Sequence, residues 1–190
     1  MALDYFEIET RSEPGAEREL QEFFVIIRGP LGGGKTSVSL KLAEVLGAAY
    51  VSIDEILEKN NLEEWGKTYI TLRSFIKANE RAANEAIKQL VRGNPVIFDG
   101  NFYYKSQVSD LIKRLSFFKP FVFTLRVPLE VCIQRDAHRN VVFGERAVRL
   151  VYKKSIEFQS GVEIDATGDL GAVIDSIIEI LVYDLRELTE

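Results

Sequence analysis

The chain has 190 residues, 46% of them hydrophobic, which suits one domain with its own core. Its net charge of −5 argues against a protein that coats nucleic acid, and no apolar run approaches the roughly 18 residues of a membrane-spanning helix. One cysteine, Cys132, and one histidine, His138, exclude an internal disulfide framework and a multi-histidine metal site. The acidic start of the chain lacks the features of a signal peptide, so we expect a soluble cytoplasmic protein.

The predicted elements begin with an acidic extension over residues 1–22, followed by a domain over 23–190. Within the extension we predict a short strand at 5–8 and a short helix over 16–23. The domain opens with an apolar, β-branched run at 24–27, typical of a strand buried on both faces. Apolar residues at helical spacing then predict a helix that ends at Gly47.

A glycine-rich loop lies between this strand and this helix. Residues 29–36 read GPLGGGKT and fit the phosphate-binding pattern G-x-x-x-x-G-K-[ST]. Its glycines let successive backbone N–H groups face one anion-sized hollow, at which the next helix also directs its N-terminus. Lys35 is then expected to reach the β- and γ-phosphates of a nucleotide, and Thr36 to ligate Mg²⁺. The predicted nucleotide ligands are Gly29, Leu31, Gly32, Gly33, Gly34, Lys35, Thr36 and Ser37.

Strands and helices continue to alternate along the rest of the chain. Strands are predicted at 49–53, 95–99, 121–127 and 161–165, and helices at 68–91, 105–117, 128–138 and 145–159, with a closing helix capped by Thr167 or Asp169. Five apolar strands separated by helices predict an α/β fold, with a parallel sheet covered on both faces. Ligands of such sheets bind at the carboxyl ends of the strands.

Two aspartates follow predicted strands at that edge. Asp54 suits an acceptor hydroxyl, which it would orient or deprotonate, and Asp99 suits a metal ion or its water shell. The two roles could be exchanged. Asp54 could instead be a helix cap, and Asp99 part of a turn. Arg73 and Asn101 are further candidates for contact with the acceptor.

Basic residues are concentrated in one part of the chain. Residues 126–154 hold seven basic and three acidic side chains, whereas 155–190 hold one basic and nine acidic ones. Arg135 and Arg139 are four residues apart and share a helix face, so both could reach one phosphate cluster. We predict a short mobile lid over about 136–146, which would supply positive charge and exclude water. Surface arginines paired with nearby acids are the alternative, which we favour for Arg146.

The chain resembles the small P-loop kinases, the group that contains nucleoside monophosphate, gluconate, shikimate, adenylylsulfate and polynucleotide kinases. The likeness rests on GPLGGGKT at 29–36, SIDE at 52–55, VIFDGN at 96–101 and RVPLEVCIQRDAHR at 126–139. It implies a three-layer α/β/α sandwich of sheet order 2-3-1-4-5 with an arginine-bearing lid. It also implies ATP as donor, with adenine near the loop 166–168 and hence Thr167. SIDE and DGN are similar to the polynucleotide kinase branch, in which the first acid lies beside the acceptor hydroxyl.

The resemblance does not identify the acceptor, because the arginine pattern of nucleotide monophosphate kinases and the D-x-D of shikimate kinases are both missing. We therefore predict a kinase that uses ATP and Mg²⁺ and acts on a hydroxyl or phosphate of a small metabolite, a nucleoside or nucleotide, or a nucleic-acid 5′ end. The predicted catalytic residues are Lys35, Asp54, Asp99, Arg135 and Arg139. A switch NTPase, suggested by D-x-x-G at 165–168, and a nucleotide-binding module without phosphotransfer are the alternatives.

Overall fold

The computed structural model describes residues 22–186, except for the side chain of Arg186. The strand predicted at 5–8 and nearly all of the helix predicted at 16–23 lie outside the described residues, and Phe23 is already the first residue of a strand. The division into an extension at 1–22 and a domain at 23–190 with a lid at about 136–146 therefore stays a prediction. None of the described helices is long and apolar enough to cross a membrane.

The described residues contain five strands and seven helices, and one or two helices follow each strand. The strands are β1 (Phe23–Arg28), β2 (Ala49–Ser52), β3 (Val96–Asp99), β4 (Lys119–Arg126) and β5 (Val162–Asp165). The helices are α1 (Lys35–Leu46), α2 (Ile53–Lys59), α3 (Leu72–Leu90), α4 (Lys105–Arg114), α5 (Leu129–Ala137), α6 (Glu145–Ser155) and α7 (Leu170–Arg186). All strand pairs are parallel, and the sheet order is β2-β3-β1-β4-β5, which confirms the predicted topology.

β1 is the central strand, and each of its six residues is buried. Because successive side chains of a strand point to opposite faces, alternate residues of β1 enter two different cores. Phe24 and Ile26 pack in a core with residues of α2, α3 and α4, whereas Val25 and Ile27 pack in a core with residues of α1 and α7. The predicted three-layer α/β/α sandwich is confirmed.

Side-chain caps decide where three of the helices begin. The cap of α2 is Ser52, whose side chain accepts a hydrogen bond from the Glu55 amide at 3.2 Å, so the alternative that Asp54 is the cap is wrong. Helix α3 begins at Leu72 instead of residue 68, because Thr71 caps it. The closing helix begins after Asp169, one of its two predicted caps, whose carboxylate accepts from the Gly171 amide at 2.9 Å.

Candidate active site

The phosphate loop joins the end of β1 to the first residue of α1. Two of its glycines have a left-handed backbone, Gly32 with φ of 78° and Gly34 with φ of 88°, a conformation that other residues adopt only with strain. A Cβ atom on Gly32 would also lie 2.3 Å from the carbonyl oxygen of Cys132 in α5. Glycine is therefore required there both for the turn and for the close approach of α5.

The N-terminal end of α1 is open toward this loop. Gly34 is its N-cap, no side chain caps it, and its first turn carries no acidic residue. The Thr36 and Ser37 side chains in that turn are exposed. Unpaired amides and the positive end of the helix dipole form a ready anion site. The residues between 29 and 37 that are predicted to bind the nucleotide thus lie in the phosphate loop and in the first turn of α1.

Lys35 is buried at the base of the loop, with 8% of its surface exposed, and its ammonium donates to the Pro30 carbonyl at 3.0 Å. Burial lowers the pKa of Lys35, while the carboxylates of Asp99 and Asp54 act in the opposite direction. An ammonium has three donors, so one described hydrogen bond leaves capacity to bind a phosphate. The predicted lysine and both predicted aspartates therefore belong to one electrostatic site.

Asp99 ends β3 with only 4% of its surface exposed. One carboxylate oxygen accepts from the Tyr50 hydroxyl at 2.9 Å, and the other is buried without a hydrogen-bond partner among the described residues. A buried carboxylate oxygen without a partner suits a water molecule or a cation. Residues 22–186 hold no group of three or more His, Cys, Asp or Glu that could bind a metal alone. Asp99 and the Thr36 hydroxyl thus fit Mg²⁺ that takes its other ligands from phosphate and water.

Asp54 lies in the first turn of α2 and faces the turn that follows β3. The Asn101 side-chain nitrogen lies 3.3 and 3.5 Å from its two oxygens, and the Asn101 amide nitrogen lies 3.5 Å from one of them. The carboxyl is open to water in the cleft, yet protein surrounds it, and this desolvation raises its pKa to about 6, with Lys35 opposing the shift. A carboxyl with a pKa near 6 suits a proton acceptor at neutral pH.

Arg135 bridges the two parts of the predicted nucleotide site. Its guanidinium donates to the Thr167 carbonyl at 3.2 Å, and a Cβ atom on Gly34 would lie 3.8 Å from the same group. Arg135 therefore reaches both the phosphate loop and the loop after β5, where the resemblance implied adenine. Arg139 is exposed, and its charge contributes to lowering the pKa of Lys35.

Asp136 is a functional candidate that the sequence did not indicate. Its carboxylate is buried and accepts from the backbone amides of Phe143 and Gly144 at 3.1 and 2.9 Å. It thereby joins the end of α5 to the start of α6 across residues 138–144, which we call the lid loop. No spacing rule predicts this contact, because its donors are backbone amides in an irregular segment.

Other predicted residues lie outside this cluster. Arg73 is exposed in the first turn of α3, where its charge contributes to lowering the pKa of Glu64, and no described contact joins it to Asp54 or Asn101. Arg146 is exposed, as is His138. Cys132 is a core residue as predicted, and burial raises its thiol pKa to about 11.

The parallel sheet of order 2-3-1-4-5, with a phosphate loop after its central strand, defines the fold of the small P-loop kinases. The chain belongs to the family described as AAA domain, which matches residues 24–156. No curated protein sequence matches the chain.

Solved structures with this fold include three enzymes named as kinases. A gluconokinase from Sinorhizobium meliloti 1021 has a TM-score of 0.67 and 16% identity, over 88% of this chain and 96% of its own. A sugar kinase from Janibacter sp. HTCC2649 has a TM-score of 0.65 and 17% identity, over 83% of this chain and 92% of its own. Deoxyadenosine kinase from M. mycoides has a TM-score of 0.52 and 20% identity, over 85% of this chain and 99% of its own. At these identities the likeness establishes the fold.

Proposed function

We propose that the protein is a kinase that uses ATP and Mg²⁺ to phosphorylate a hydroxyl group of a small acceptor. The observation that carries this proposal is the cluster formed beside the phosphate loop by Lys35, Asp99 and Asp54, whose carboxyl has a pKa of about 6. The kinase names of the similar structures support it. A cytoplasmic location, where ATP is abundant, suits this activity and stays a prediction.

The loop amides and Lys35 would hold the β- and γ-phosphates, while Arg135, near Thr167, would contact the nucleotide from the lid side. The chemistry that Mg²⁺ supplies when bound with ATP is neutralisation of phosphate charge, and Thr36 and Asp99 would hold the ion or its water shell. Arg139, exposed in the lid loop, would add positive charge.

Asp54 would accept the proton of the acceptor hydroxyl as the acceptor oxygen forms its bond to the γ-phosphorus. The bond between that phosphorus and the bridging oxygen of ADP breaks, and ADP leaves. Asn101, within 3.5 Å of Asp54, would orient the carboxylate or the hydroxyl.

A hydroxyl acceptor is favoured over a phosphate. Binding a second phosphate normally requires arginine or lysine close to it. The two cations in the first turns of α3 are directed at Glu64. Lys77 forms an ion pair with it at 2.8 Å, and the charge of Arg73 acts on it as well. The charges that act most strongly on Asp54 are those of Lys35, Asp99 and Glu63, so two of the three are negative.

The test is a screen of ADP formation from ATP and Mg²⁺ with nucleosides, sugars, sugar acids, cofactors and 5′-hydroxyl oligonucleotides, with products identified by mass. We expect an acceptor whose mass increases by one phosphoryl group. Phosphate release without any acceptor would favour a switch NTPase instead. Tight ATP binding without transfer or hydrolysis would favour a nucleotide-binding module.

A further inference from the structure

Arg28 is a fully buried arginine at the last position of β1, directly before the first glycine of the phosphate loop. Its Nε donates to the carbonyl oxygen of Phe102 at 3.1 Å, and one Nη donates to the Thr124 hydroxyl at 3.0 Å. Phe102 directly follows Asn101, the residue in contact with Asp54. One side chain therefore joins the phosphate-loop strand to the turn that holds the predicted acceptor residues.

The same guanidinium also holds the C-terminal end of α6. Its second Nη donates to the Ser155 carbonyl at 2.7 Å, the first Nη also donates to the Phe158 carbonyl at 3.4 Å, and the Phe158 ring lies 4.1 Å from the guanidinium carbon. Carbonyls at a helix C-terminus carry partial negative charge and favour a cation. Because α6 begins directly after the lid loop, this contact fixes the far end of the helix that follows that loop.

Arg28 forms these contacts without a carboxylate partner. Within residues 22–186 no Asp or Glu oxygen forms an ion pair with its guanidinium. Burial lowers its pKa to about 10, the charge of Arg126 acts in the same direction, and the charge of Glu163 opposes the shift. A buried charge of this kind costs more free energy than an apolar side chain of similar size would. Stability alone is therefore a poor reason for an arginine at this site.

We propose that Arg28 is a positioning residue that fixes two segments relative to the phosphate loop: the acceptor turn, residues 99–102, and the end of α6 with the three residues after it, residues 152–158. This role rests on the proposed kinase function. Arginine suits it because its planar group holds five N–H donors in fixed directions, whereas lysine is a point charge on a flexible stem. A displacement of about 1 Å at either segment is enough to slow transfer by about a hundredfold.

The test compares Arg28→Lys, which keeps the charge but loses the planar group, with Arg114→Lys as a control. Arg114 lies on α4 and pairs with Asp110 four residues earlier, outside the proposed site. Hydrogen–deuterium exchange is measured with ATP and Mg²⁺, and ATP affinity by calorimetry. We expect Arg28→Lys to exchange about tenfold faster at 99–102 and 152–158, with ATP affinity changed by less than about threefold. With the acceptor found by the screen, kcat should fall by at least about tenfold.

A wild-type kcat in folded Arg28→Lys overturns the proposal, as does exchange that increases evenly over the sheet. Thr124→Val tests it again if Arg28→Lys does not fold, because this variant removes one partner of the guanidinium and keeps the side-chain shape. It also removes the hydrogen bond of 2.7 Å from the Thr124 hydroxyl to the Ser160 carbonyl, so the readout at the acceptor turn, which is remote from Ser160 in sequence, decides. It should increase exchange in the same two segments by a smaller factor, and unchanged exchange there overturns the proposal. If the exchange results are as expected but the wild-type protein phosphorylates no acceptor, the proposed kinase function is wrong. The positioning of the two segments by Arg28 is then still supported.

Discussion

The side-chain nitrogen of Asn101 lies 3.3 Å from one carboxylate oxygen of Asp54 and 3.5 Å from the other. Both distances are long for hydrogen bonds to an ionised carboxylate, which are normally about 2.7–2.9 Å. Asp54 is thus oriented by Asn101 but weakly stabilised as an anion. Its raised pKa of about 6 is consistent with this arrangement, and the first three predictions rest on it.

Replacing Asp54 by Asn should reduce kcat by about a hundredfold or more, because the amide cannot accept the hydroxyl proton. ATP affinity should stay close to that of the wild type, since the phosphate loop lies between β1 and α1, whereas Asp54 lies on α2. Steady-state kinetics and ATP calorimetry on the same preparation check both values. An equal loss of transfer and of ATP binding would show a structural role instead.

The pH profile of kcat/KM should rise with an apparent pKa of about 6. Below this pH Asp54 is protonated and cannot accept a proton, so the rate should fall by about tenfold per pH unit; above it the rate should level off. The measurement covers pH 5 to 8 at fixed Mg²⁺ and ATP. Asp54→Asn is the control and should show a low rate without this inflection. A wild-type rate that is constant across the range contradicts the assignment.

Asp54→Asn should also raise the melting temperature at pH 7. The folded-state pKa is about 6 and the unfolded value about 3.8, so the folded state binds more protons between these values and the wild type loses stability as pH rises through this window. Asn carries no charge and avoids that loss. Thermal unfolding at pH 7.5, 6 and 5 should show a higher melting temperature for the variant than for the wild type. This difference should become smaller as the pH falls. A wild type that is the more stable protein at pH 7.5 would show that the carboxylate stabilises the fold.

Local sequence patterns were sufficient to predict the sheet and the phosphate loop. An apolar run, a glycine-rich turn and an amphipathic helix follow one another between residues 24 and 46, and each needs only its own neighbours to form. Asp136 and Arg28 were not indicated, because the partners of Asp136 are backbone amides in an irregular segment and those of Arg28 are distant in sequence. Arg28 binds residues 74 to 130 positions away, and no local spacing distinguishes it from an arginine at an exposed strand end.

The start of α2 is a second place where the sequence alone does not decide the structure. Ser52 and Asp54 are both good caps, two residues apart, so composition alone does not choose between them. The choice is made where β2 ends, and that point is set by pairing with β3, in which Ser52 lies opposite Asp99. Once Ser52 caps the helix, Asp54 lies in its first turn and its carboxyl faces Asn101.

Replacing Lys35 by Ala should reduce phosphoryl transfer by at least about a hundredfold, because it removes the buried cation that would stabilise charge on the transferred group. Lys41→Ala is a matched control: Lys41 lies on the same helix, is exposed and pairs with Glu44. Initial rates with the acceptor found by the screen, at saturating ATP, give the comparison. Transfer by Lys35→Ala at a rate near that of the control would contradict the role assigned to the loop.

Replacing Asp136 by Ala should weaken ATP binding by about tenfold, because the lid loop loses the carboxylate that accepts from the amides of Phe143 and Gly144. Arg135 and Arg139 lie on either side of Asp136 in sequence, and both would be less well fixed over the phosphates. Limited proteolysis should show faster cleavage within residues 138–144, and calorimetry with ATP and Mg²⁺ gives the change in affinity. Asp175→Ala, an exposed site on α7, is the control and should match the wild type. Faster cleavage with unchanged ATP affinity would mean that the lid loop does not contribute to binding the nucleotide.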